Sequence, residues 1–145
     1  MTALPEPQPG LVIRYAYLWR HEAARGQEEA RKDRPCVVVL AVQDGGDHKV
    51  VTVAPITHTR PERPDLAIPV PPAVKRRLGL DSEQSWIIAA DLNRFVWPGV
   101  DLRPVGVDER TYAYGLLPAA LYDQLRLRVL ALARAGQAAL TRRKE

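Results

Sequence analysis

The chain is short of the residues that several kinds of chemistry require. It has one cysteine, Cys36, among 145 residues, which excludes an intrachain disulfide and a thiol framework. No Cys/His spacing of the kind that holds zinc occurs. No apolar run approaches the roughly 20 residues needed to span a bilayer. Met1 to Gly10 lacks the basic start and apolar centre of a secretory signal, so a cytoplasmic protein is the expectation. A Gly-rich phosphate loop and a Ser/His/Asp order of the hydrolase kind are both missing. Charge of one sign is also scarce: 21 Lys and Arg stand against 17 Asp and Glu, a net +4. That excess is compatible with a polyanionic partner but too mild to argue for one.

What the chain has is apolar content and punctuation. Hydrophobic residues make up 46%, enough for one core in a chain of this length. Thirteen prolines and nine glycines, against a usual proline share of ~5%, fall mostly between apolar runs, as loop residues do. Gly10 to Trp19 is rich in β-branched and aromatic residues and predicts a first strand. Val37 to Val42 and Lys49 to Ala54 flank the turn signal Asp44-Gly45-Gly46-Asp47 and predict a hairpin, with Pro55 ending the ladder for want of an N–H. Leu66 to Val70, Ser85 to Ala90 and Arg94 to Trp97 predict further short strands. Pro71 to Gly79 predicts one or two helical turns. In its basic run Lys75-Arg76-Arg77 the expectation is a solvated face. Arg20 to Arg34 is too polar for a strand and predicts a loop or a partly helical segment.

Pro118 to Ala139 predicts the one long helix, with Leu121, Leu125, Val129, Leu132 and Ala133 forming an apolar stripe. Cys36 lies in the run Pro35 to Leu40, the setting of a packed strand thiol rather than a reactive one. The resulting fold class is mainly β: a small barrel or half-open sheet with a C-terminal helix packed on it. Residues 1–9 read as a flexible lead, 10–139 as the domain and 140–145 as a frayed basic tail.

Four segments in order carry a resemblance. They are the glycine-led strand Gly10 to Tyr15; Gly26-Gln27-Glu28-Glu29 running into Lys32-Asp33-Arg34-Pro35 and the valine-rich Cys36 to Val39; Val53-Ala54-Pro55-Ile56-Thr57-His58; and Ile87-Ile88-Ala89-Ala90-Asp91. Together they resemble the PemK/MazF/Kid toxin family. The resemblance implies an SH3-like barrel of five to seven short strands, a homodimer, a neutralising antitoxin, and cleavage of single-stranded RNA such as mRNA with no metal and no cofactor. It places Arg34 and Thr57 on the family's catalytic arginine and threonine, and Asp91 on an acidic position implicated in some members. Glu28, His58, Asn93 and Arg94 are the candidate RNA contacts. Gln27 stands where some members carry a histidine and Ala89 where some carry an arginine, leaving His21 and His58 to compensate. If the chemistry went with those two residues, the alternative is a catalytically inactive barrel that binds RNA or a protein.

The residue types suit the implied reaction. RNA carries its own nucleophile, the 2′-hydroxyl, so catalysis is chiefly positioning and charge stabilisation. A planar guanidinium donates to two phosphorane oxygens at once, which an ammonium cannot match. A threonine hydroxyl can bind phosphate or orient the nucleophile. Histidine exchanges protons near neutrality, but in an extended strand His58 is expected to point away from Thr57.

Overall fold

In β1 (Leu11–Ala16), β2 (Asp33–Gln43) and β3 (Lys49–Thr57) successive residues alternate between two buried clusters. Val12, Val37, Val39, Ala54 and Ile56 face one cluster, while Ile13, Tyr15, Cys36, Val38, Val51 and Val53 face the other. A sheet buried on both faces needs apolar residues at consecutive positions, which explains why these strands read as continuous apolar runs. The computed structural model describes residues 4–27, 32–105 and 111–143.

The remaining elements are α1 (Arg20–Ala24), β4 (Ala67–Pro69), α2 (Pro72–Arg77), β5 (Trp86–Ile88), β6 (Asp91–Val96), β7 (Leu102–Arg103), β8 (Ala113–Leu116), α3 (Ala119–Arg134) and β9 (Ala139–Arg142), with a 3₁₀ turn at Pro64–Leu66. The described residues form a nine-stranded sheet with the path β4-β5-β3-β2-β1-β7, to which β8 adds at β1 and β6 at β3, with β9 on β6. All pairs are antiparallel except β6–β9. The mainly-β class with a late helix is therefore what the sequence indicated. The strands outnumber the expected five to seven because several are very short and β9 follows the helix.

Helix α3 covers the first cluster with Leu121, Leu125, Val129 and Leu132. Leu125 is fully buried, and truncating such a residue to alanine costs about 2–5 kcal/mol. The helix stops earlier than its stripe predicted. Gly136, at φ 70°, takes the left-handed position, and the Gly136 and Gln137 N–H groups donate to the carbonyls of Ala133 and Leu132. This paired capping pattern closes the helix and frees Ala139–Arg142 to run parallel to β6, Asn93 opposite Thr141. The expected frayed tail is thus strand as far as Arg142, and Arg143 is buried.

The described part of the lead is also held: Pro7 is buried and Glu6 pairs with Lys49 at 2.6 Å. Pro55 does not end its strand. It sits opposite Cys36, and the ladder continues as Ile56 and Thr57 pair with Ile87 and Trp86 of β5. No helix among the described residues is long and apolar enough to cross a membrane.

Candidate active site

The β2–β3 register sets Cys36 opposite Pro55 and Val37 opposite Ala54. Followed toward the start of β2 and the end of β3, it brings Arg34 and Thr57 to the same end of the pair. By alternation both side chains lie on the face of the second cluster. On its other side, β5 holds this end of β3 by pairing Trp86 with Thr57. A cleft of about 660 Å³ opens there, lined among others by Trp19, Arg34, Thr57, His58, Lys75 and Asp81. A smaller hollow of about 310 Å³ adjoins it and shares Trp19, His21, Lys32 and Arg34.

Arg34 is the electrostatic centre of the cleft. Its guanidinium lies over the Trp19 ring, 5.0 Å from the centroid. Among the described residues no acceptor meets its buried Nε, and no carboxylate pairs with it. Asp33, the adjacent acid, is turned to Arg14 and Arg103 at 3.6 and 3.7 Å. Burial pulls the Arg34 pKa down, opposed by Cys36, Glu22 and Tyr17. An arginine keeps its charge through such a shift, so the site holds a half-dry cation whose Nε donor is unused among the described residues. Thr57 is buried at 8% exposure, its Oγ1 accepting from the Thr59 N–H at 3.2 Å. The hydroxyl proton is left to donate.

His58 lines the same cleft, contrary to the alternation expected of a strand, because β3 ends at Thr57. Its Nε2 lies 2.8 Å from Asp81 Oδ2 and its Nδ1 lies 3.4 Å from Glu83 Oε2. Asp81 Oδ1 accepts from Lys75 Nζ at 2.5 Å, and this ammonium also donates to the Glu83 carbonyl at 2.5 Å and to Ser85 Oγ at 2.6 Å. Lys75 holds the Asp81 carboxyl below its ordinary range. The His58, Asp81 and Glu83 ligand atoms fall within 4.8 Å of one another. The Lys75 ammonium already supplies positive charge to Asp81, so the group forms an ion-pair network rather than a metal centre. Lys75, expected on a solvated face, is buried at 4% exposure; the three-residue basic run concealed which member turns inward. Nothing in the sequence pointed to Asp81.

The other sequence candidates lie elsewhere. Asp91 accepts from the buried Tyr17 hydroxyl at 2.5 Å and from the Arg20 N–H at 3.1 Å. It links β6 to the chain around α1 instead of reaching Arg34 or Arg94. Burial raises its pKa, against the lowering effect of the Tyr17 hydrogen bond. Asn93 is fully buried: its Oδ1 accepts from the Leu18 N–H at 3.0 Å and its Nδ2 donates to the Leu18 carbonyl at 2.7 Å. Arg94 pairs with Thr52 and Arg142 within the sheet. None of these three residues lines the cleft. Glu28 falls outside the described residues. Cys36 is wholly buried, and burial pushes its thiol far up, which fits packing and not reactivity.

Residues 17–95 match the model of the PemK-like, MazF-like toxin of type II toxin–antitoxin systems. The chain belongs to this family. The matched span includes β2, β3 and the whole Arg34–Thr57 cleft of this PemK-like toxin. No curated protein matches it in sequence. Among solved structures it resembles an endoribonuclease in complex with its cognate antitoxin from a mycobacterial species. There the TM-score is 0.49 and the identity 14%, over 92% of this chain and 99% of that one.

Proposed function

We propose that this toxin is an endoribonuclease that cuts single-stranded RNA without a metal, the 2′-hydroxyl attacking the adjacent phosphate. One observation carries the reading: in the cleft, a half-buried guanidinium that meets no acid among the described residues stands at the same strand ends as a threonine hydroxyl. Cations withdrawn from water are ordinarily paired. A site whose described residues leave one unpaired suits an incoming anion, and a scissile phosphate brings one.

Arg34 then donates to the non-bridging oxygens as charge builds on the phosphorane, where a fixed donor is worth most. Trp19 holds the guanidinium plane from behind. Thr57 Oγ1 donates to phosphate or orients the 2′-oxygen. Asp91 and Asn93 serve this scheme only by securing the strand and loop around it. A type II toxin is restrained by an antitoxin, and a partner that fills the cleft with a carboxylate would meet the same unpaired guanidinium.

The test is cleavage of a single-stranded RNA oligonucleotide in excess EDTA with end-group analysis. The expected products end in a 2′,3′-cyclic phosphate and a 5′-hydroxyl, and a substrate with 2′-deoxyribose at the scissile position resists. Binding without products would mean instead a binding module on the same sheet.

A further inference from the structure

The segment from α2 to β5 brings a buried lysine, a carboxylate and an imidazole into one chain of contacts that ends in the cleft. Lys75 is buried, yet its three donors are all used, on Asp81 Oδ1, the Glu83 carbonyl and Ser85 Oγ. The Glu83 N–H also donates to Asp81 Oδ1 at 3.1 Å. The carboxylate is thereby pinned through Oδ1, and its Oδ2 is left to meet His58 Nε2 at 2.8 Å. An imidazole whose one nitrogen is fixed on a carboxylate presents the other in a defined tautomer and direction. Here the second nitrogen, Nδ1, has only the loose 3.4 Å approach of Glu83, whose side chain is 70% exposed.

We propose that His58 is the general base of the cleavage and that Lys75 and Asp81 are its positioning residues, with Nε2–H held on Asp81 and Nδ1 turned to the substrate. The inference rests on the endoribonuclease reading given above. In the step, Nδ1 takes the 2′-hydroxyl proton as that oxygen bonds to phosphorus. The phosphorus–O5′ bond breaks with its electron pair on O5′. O5′ takes a proton from water, and the imidazolium neutralises the hydroxide so formed. Arg34 binds the phosphate and His58 moves the proton, so the two tasks fall on the start of β2 and the loop after β3, both lining one cleft.

Charged groups surround His58. Arg60 and Glu62 follow it on its own loop, and Lys75, Asp81 and Glu83 face it from the α2–β5 segment. Across the cleft stand Lys32, Asp33 and Arg34 from the start of β2, and His21 from α1.

Single-turnover cleavage of an RNA oligonucleotide, with rate and affinity measured separately by varying the protein concentration, tests the proposal. His58→Gln is expected to slow cleavage by about 10²–10⁴-fold, the usual worth of a positioned base, and free imidazole is expected to restore part of the rate in His58→Ala. Asp81→Asn keeps an oxygen for Lys75 but removes the counter-charge of that buried ammonium, so its rate is read at a temperature where its melt shows it fully folded. It should lower the rate at saturating protein while leaving RNA affinity unchanged. A wild-type rate in His58→Gln overturns the assignment of the base. An Asp81→Asn that cleaves at the wild-type rate, or that loses affinity as much as rate, overturns the positioning role. Should His58→Gln remain active while Arg34→Met does not, this inference fails and the nuclease reading stands. Should the wild-type protein yield no product, both fail.

Discussion

Arg143 and Arg34 both leave solvent against an aromatic ring, 5.5 Å from Tyr15 and 5.0 Å from Trp19 respectively, but they differ in what their donors reach. Arg143 donates to the Ala16 carbonyl, to Asn93 Oδ1 at 3.2 Å and to Asp101 Oδ2 at 2.9 Å. It ties β9 to β6, β1 and the turn before β7, and its charge is neutralised where it lies. Arg34 has the stacking without the acid, and its Nε finds no acceptor among the described residues. Both arginines lie at the end of β1 where Tyr15 faces Arg34 across the ladder, yet polar capacity is used for folding at one and held in reserve at the other. Reserve of that kind is costly in a folded protein, so its presence points to a ligand that supplies the missing charge.

The contrast breaks most sharply on Arg34 itself. Arg34→Met should reduce RNA cleavage by about 10³-fold or more, the scale of losing a principal transition-state donor, and Arg34→Lys should restore little of it because an ammonium lacks the fork. Stability should move the other way from the usual core change. Removing a half-buried cation that has no acid partner among the described residues should alter the unfolding free energy by no more than about 1 kcal/mol, the size of the stacking lost. Arg143→Met should do the reverse, costing about 3–5 kcal/mol in a denaturant titration because it takes the buried partner from Asp101, leaving that acid only Arg103 at 3.9 Å, and removes the donor to the Ala16 carbonyl. If Arg143→Met proved harmless and Arg34→Met unfolded the protein, the comparison drawn between them would be wrong.

Two smaller effects sharpen it. Asp91→Ala should cost about 1–3 kcal/mol by leaving the buried Tyr17 hydroxyl without its acceptor, with no direct loss of RNA binding. The ionised Asp91 is disfavoured by burial, so its folded-state pKa lies above its unfolded one. Between those two values the folded state binds the extra proton, and stability should therefore fall as pH rises through that window. Asp91→Asn should remove this component of the pH dependence, read from melts on either side of it. Least in size, Thr57→Ser should keep most of the activity and the turn bond to Thr59, whereas Thr57→Val should lose cleavage with little change in stability.

Much of this was legible in the chain, but unevenly. The apolar runs marked β1 to β3 because both faces of those strands are buried, and the hairpin followed from Asp44 to Asp47. The order of Arg34-Pro35 and Pro55-Ile56-Thr57 was also readable, and strand register then brings Arg34 and Thr57 together without further information. What escaped the sequence depends on contacts distant in the chain. The strand role of Leu140 to Arg142 hangs on Gly136 closing the helix and on a parallel partner in β6. Asn93 and Asp91 look like site residues at a strand end, and only the positions of Leu18, Tyr17 and Arg20 show their polar atoms occupied. Lys75 hides inside a basic triplet, and its partner Asp81 looks like an ordinary turn acid until His58 is seen beside it.

The most direct test of the central claim is a single-turnover comparison of wild type and Arg34→Met on one single-stranded RNA in EDTA. Both proteins should first be shown to melt alike. The account predicts a 2′,3′-cyclic phosphate product from the wild type and a rate lower by about 10³-fold in the variant. Equal cleavage by two equally folded proteins would contradict it.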